Sequence, residues 1–192
     1  MTISLSKGQT VDLSKKAPGL SRLHVGLGWD PIKKKGFFGF GKGSDSIDLD
    51  ASILVFDGDK NVIDTVWFQQ KKSKDGSILH SGDNLTGEGD GDDEVIRVDL
   101  NKLTSAAQHL VVTVNSFRGQ TFDEVDNAFC RLVDEATDAE LFRYQLNEKG
   151  RHTGVIMAVV SRQSGAWSAK AIGEPGRGKT VADMVTSAQS LI

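Results

Sequence analysis

Thiols are almost missing from this chain: its 192 residues include one cysteine, Cys130. A single cysteine closes no disulfide within the chain. In "NAFCRLV" it alternates with polar neighbours as a core-facing strand residue does, so a buried, inert thiol is expected. A basic excess is missing too. Lys and Arg number 23 against 26 Asp and Glu, a formal net charge of -3, which argues against a nucleic-acid partner held by phosphate contacts. No apolar run approaches the ~18 residues that a membrane-spanning helix needs. The start, "MTISLSKGQTVDLSKKAPG", has no apolar stretch of the signal-peptide kind. These absences predict a soluble, unexported protein. His24, His80, His109 and His152 are scattered without ligand spacing, and no G-x-S-x-G elbow occurs, so no enzyme activity is expected.

What the chain does have is period-two alternation. "SRLHVGLGW" sets Leu23, Val25, Leu27 and Trp29 on one face, and "HLVVTV" and "AFCRLV" read similarly. "ILVFDGDKNVIDTVWF" is two β-rich runs about a polar turn, a hairpin pattern. "EVIRVDL", "AELFRYQL", "TGVIMAVV" and "AWSAKAI" continue the series, with brief helical possibilities at "TFDEVDNA" and in the last dozen residues. The pattern predicts a mostly β protein: a β-sandwich of two antiparallel-rich sheets, a few short helices and a C-terminal helix packing Val181, Met184, Val185 and Ala188.

"GEPGRGKT", residues 173–180, matches the phosphate-loop template through Gly173, Gly178, Lys179 and Thr180. A P-loop enzyme also needs a parallel sheet and a later acidic strand for magnesium. Only twelve residues follow Thr180, so a nucleotide-binding role is the weaker alternative and a Gly/Pro turn before a helix the stronger.

The segment with chemistry in it is "HSGDNLTGEGDGDDE", residues 80–94. Asp83, Glu88, Asp90, Asp92, Asp93 and Glu94 occur there with no basic residue, interleaved with Gly82, Gly87, Gly89 and Gly91. Two like charges ~4 Å apart repel by roughly 4 kcal/mol at an effective dielectric near 20. Either the loop is splayed in water or a cation sits in it. Carboxylates, amide oxygens and flexible glycine backbone suit a hard cation taking six to eight oxygens, calcium before magnesium. Asp48 and Asp50 in "DLDAS" alternate along a strand and leave one face, and Asp30 follows "GLGW". The loop is no EF-hand: counting from Asp83, the third residue is Leu85 and the sixth Glu88, where that loop needs an oxygen ligand and a glycine. The candidate oxygens exceed one coordination sphere, so two ions are expected.

"LSKGQTVDLSK", "GLGWD", "DLDAS", "SGDNLTGEGDGDDE" and "VNSFRGQTFDEVDNAFCRLVD" together resemble the TerD family of bacterial tellurium-resistance and stress proteins. The resemblance implies a single calcium-binding β-sandwich domain over residues 1–192. It implies a cytoplasmic protein encoded with other tellurium-resistance proteins, which would be its partners, and linked to tolerance of tellurite, phage and some colicins. Its implied metal ligands are Asp30, Asp48, Asp50, Asp83, Asn84, Asp92, Asp93 and Glu94, with backbone oxygens from the turn at 86–91, Thr86, Gly87 and Gly89 among them. One departure from the shorter family pattern is an inserted loop at 31–47, "PIKKKGFFGFGKGSDSI". Its Phe37, Phe38 and Phe40 beside Lys33, Lys34, Lys35 and Lys42 suit an anionic membrane surface. A calcium-gated contact with the inner membrane surface is therefore the alternative function.

Overall fold

The computed structural model describes residues 4–31, 47–82, 91–147 and 149–192. Strands β1 (Thr10–Asp12), β2 (Arg22–Pro31), β3 (Leu49–Phe56), β4 (Val62–Val66), β5 (Ile78–His80) and β6 (Glu94–Asp99) are followed by β7 (His109–Ser116), β8 (Val125–Asp134), β9 (Ala139–Gln145), β10 (Gly154–Gln163) and β11 (Ala166–Gly176). The helical parts are short: α1 (Leu13–Lys16), a 3-10 turn at Phe122–Glu124, another at Val181–Met184, and α2 (Val185–Gln189). The strands form one sheet in the order β5-β6-β2-β8-β9 and a second in the order β1-β11-β10-β7-β3-β4. Every pairing between these strands is antiparallel. The two-sheet architecture expected from alternation is the one observed.

Burial explains which runs alternate and which do not. On β2, in the middle of the first sheet, Leu23, Val25, Leu27 and Trp29 point into the space between the sheets. Strands β3 and β10 instead read as nearly unbroken apolar runs because both of their faces are covered. Leu49, Ala51, Ile53 and Val55 join the central core. Leu54 and Phe56 lie in a second cluster with Val111, Ile156, Val181, Met184 and Ala188, where the C-terminal segment packs over the second sheet. Fully burying a side chain such as Phe56, Phe122 or Phe142 stabilises the fold by roughly 2–3 kcal/mol. Cys130 is fully buried on β8, and burial pushes its thiol up to about 12.

The helical possibility at "TFDEVDNA" narrows, and the C-terminal helix is present in short form. At "TFDEVDNA" only Phe122–Glu124 is helical, as a 3-10 turn closed by Thr121 and Glu124, each side chain meeting the other's backbone N–H. β8 begins at once with Val125. The C-terminal helix is a 3-10 turn running into a helix of five residues. Among the described residues no helix is long and apolar enough to cross a membrane.

The first half of "GEPGRGKT" is strand rather than loop. Glu174, Pro175 and Gly176 pair with β10, and Gly173, at φ 63, lies at a register shift in that pairing. In the second half the carboxylate of Asp183 accepts the N–H groups of Lys179 (2.9 Å) and Thr180 (3.1 Å). The backbone donors that a phosphate would need already have an acceptor, and the sheet is not parallel.

Candidate functional site

One end of the sandwich gathers the described members of the acidic set. The indole Nε1 of Trp29, at the end of β2, donates to the Ile47 carbonyl at 3.0 Å, and the Trp29 backbone N–H donates to the Asp93 carboxylate at 2.8 Å. Glu94 opens β6 and its carboxylate accepts the N–H of Ala51 on β3 at 2.6 Å. Trp29, Glu94 and Ala51 thereby fasten the starts of β3 and β6 to the end of β2, bringing Asp30, Asp48, Asp50, Asp92, Asp93 and Glu94 to one region. Asp83, Asn84, Thr86, Gly87 and Gly89 lie outside the described residues, as does nearly all of the inserted loop with its three phenylalanines.

Three successive residues take three different surroundings. Asp92 turns onto the outer face of the first sheet. There Arg131 on β8 grips it through Nε (2.7 Å) and Nη2 (2.9 Å), and the Nε2 of His24 on β2 lies 2.7 Å from it. Gly26 makes this possible, since a β-carbon there would fall 2.2 Å from Asp92 Oδ2. Asp93 sits at the strand end, and its carboxyl is raised above the usual range by burial, with the negative charges of Asp30, Asp92 and Glu94 adding to the rise. Glu94 points between the sheets, its Oε2 3.5 Å from His80 Nε2, with both side chains fully buried. His80 also reaches the Ala51 carbonyl at 3.2 Å.

Asp50 shares its strand parity with Leu54 and Phe56 and lies opposite Asn115 of β7. Asp48 precedes β3 and takes Arg118 Nε at 3.0 Å. Both acids are only 5% exposed. Asp30 is held from β8: the side-chain amide of Asn127 donates to its Oδ2 at 2.7 Å. Asn127 adopts φ 53, a left-handed conformation that asparagine tolerates better than most residues. It falls where the β2–β8 register shifts between Gly28 and Asp30, a bulge of the kind that re-aims side chains. A cleft of about 510 Å³ opens beside it, with Asp30, Asp93 and Asp126 in its wall.

The donors around these carboxylates are oxygens, with neither a thiolate nor a cluster of imidazoles, which fits a hard cation. Among the described residues, however, no three His, Cys, Asp or Glu side chains converge as a metal cage. Asp48, Asp50, Asp93 and Asp30 suit such an ion. Asp92 fits less well, because both of its oxygens already engage Arg131. Sequence reading missed Arg131, Arg118, Asn127 and the His24 and His80 contacts. The signal available for His24 was parity: it shares the outward face of β2 with Gly26 and Gly28.

A family model described as the TerD domain matches residues 1–187. The tellurium resistance protein TerZ of Serratia marcescens is 55% identical over 95% of this chain and 94% of its own length. The stress response protein SCP2 of Bacillus subtilis (strain 168) is 41% identical over 97% and 98%. The fold matches the crystal structure of a homologue of telluride resistance protein (TerD) from Streptomyces coelicolor A3(2), with a TM-score of 0.71 and 24% identity over 89% of this chain and 98% of that one. By the domain match and these identities, the chain belongs to the TerD family of tellurium-resistance and stress-response proteins.

Proposed function

We propose that the protein is a calcium-binding, non-enzymatic module of the stress response that contributes to tellurite resistance within an assembly of other tellurium-resistance proteins. The observation that carries this reading is the crowding of acids at one end of the sandwich, where Asp48 and Asp50 are 5% exposed and Glu94 is 1% exposed. Buried carboxylates are costly unless paired, hydrogen-bonded or bound to metal. The segment 83–90, with three further acids and two glycines, follows Gly82 and precedes Gly91 in the chain. Residues Asp30, Asp48, Asp50 and Asp93 would hold calcium together with Asp83, Asn84 and backbone oxygens of 86–91. Calcium would supply charge neutralisation and loop order rather than reaction chemistry. Protection would be indirect, because Cys130, whose thiol is buried and hard to ionise, is no reductant.

The test is isothermal titration of the chelator-stripped chain with calcium, repeated in millimolar magnesium. Binding of two ions per chain that survives magnesium is expected, with a gain of about 2.7 kcal/mol in unfolding free energy at a hundred times the dissociation constant. An absence of heat, together with a melting temperature indifferent to calcium and chelator, would remove the reading.

A further inference from the structure

The basic groups that neutralise this acidic end hold their partners in different ways. Arg131 rises from the middle of β8, is 29% exposed, and closes a two-pronged contact on Asp92. Arg118 lies past the end of β7 on a turn completed by Gly119, whose φ of 84 favours glycine. It is 48% exposed and offers Asp48 its Nε at 3.0 Å, while the Asp48 side chain is 7% exposed. The acid is fixed in the fold, and the base reaches it from solvent.

We propose that Arg118 is the internal counter-ion of Asp48, holding that carboxylate in the calcium-free protein and yielding it when calcium binds. The proposal rests on the calcium reading. A carboxylate this buried needs a compensating charge in either state. A divalent ion compensates it more strongly than one guanidinium, whose half-exposed arm loses little on returning to water. Arg118 therefore competes with calcium and sets the affinity lower than the oxygens alone would give. It also helps to hold the buried charge of Asp48 in the calcium-free fold. Asp92 is the contrasting case: its fork to Arg131 stays closed in both states, so Asp92 anchors the exit of the acidic loop without giving up its oxygens.

The two roles of Arg118 predict opposite signs in one variant. In Arg118→Gln, calcium should bind about tenfold more tightly by titration of the full chain, because the competitor is gone. In chelator the same variant should melt several degrees below the native protein, and calcium should erase most of that difference. Arg118→Lys, which keeps a charge but loses the planar fork, should fall between the two. In an Asp48→Asn background, Arg118→Gln should leave calcium affinity unchanged. Weaker or equal calcium binding in Arg118→Gln, while the native protein binds normally, would overturn the proposal and make Arg118 a residue that positions Asp48. A native protein that does not bind calcium overturns the calcium reading itself, and this proposal with it.

Discussion

Asp75 and Asp93 show two ways of keeping a carboxylate in one protein. Burial opposes ionisation at both. Asp75, in the turn before β5, receives the Ser77 hydroxyl (2.6 Å) and N–H (2.9 Å), the Thr104 N–H (3.0 Å) and the Ser73 hydroxyl (2.7 Å). These donors outweigh desolvation and bring its carboxyl down to about 2. Asp93 has the Trp29 N–H, yet burial and the charges of Asp30, Asp92 and Glu94 push it the other way. Asp75 is an acid whose charge the fold itself satisfies. Asp93 belongs to a strip that the fold packs against its own kind, and the proposed cation would relieve it.

Three substitutions would break or sharpen this contrast. The largest effect is expected at Arg131→Met, which leaves Asp92 charged and nearly buried on the sheet. Because Arg131 is itself partly exposed, a loss of about 3 kcal/mol is expected, at the lower edge of the range for breaking buried pairs, read from urea unfolding. An unchanged midpoint would show that solvent replaces the guanidinium without cost.

Next is Asp75→Asn. The folded carboxyl lies below its unfolded value of about 4, so its contribution is fully present above pH 4 and is lost as the pH falls towards 2. Allowing for solvent screening at this exposed position, the variant should lose about 1–2 kcal/mol at neutral pH and show a flatter decline in stability between pH 4 and 2. A decline as steep as the native protein's would assign acid sensitivity to other carboxylates.

The smallest effect, with the opposite sign, is expected at Asp93→Asn. A raised folded value means that the ionised group weakens the fold increasingly as the pH rises past its unfolded value. Removing the charge should therefore leave the calcium-free protein equally or slightly more stable at pH 7, by less than about 1 kcal/mol, while reducing the calcium-induced rise in melting temperature. A clear destabilisation in chelator would place Asp93 with Asp75 as a structural acid.

Much of the fold could be read from residue types. Alternation in "SRLHVGLGW" marks the inward face of β2, and "DGDKN" closes the β3–β4 hairpin, with Asp57 accepting the N–H groups of Asp59 and Asn61. The division of labour within "DDE" could not be read. The three residues look alike in sequence, but where each carboxylate goes depends on long-range partners: a glycine that leaves room on β2, an arginine on β8, and a backbone amide on β3. The motif "GEPGRGKT" misleads for a related reason. Its glycines and lysine match a pattern, while Asp183, three residues beyond Thr180, supplies the acceptor in place of a phosphate.

Trp29 gives this end of the molecule an optical handle. Its indole is hydrogen-bonded to the Ile47 carbonyl beside Asp48, and its backbone is bonded to Asp93, so one chromophore touches both acidic strand ends. The chain has three tryptophans, and the other two are Trp67 and Trp167. With those two replaced by phenylalanine, emission wavelength and quenching would report rearrangement at the acidic end from a single internal reporter, without any attached dye.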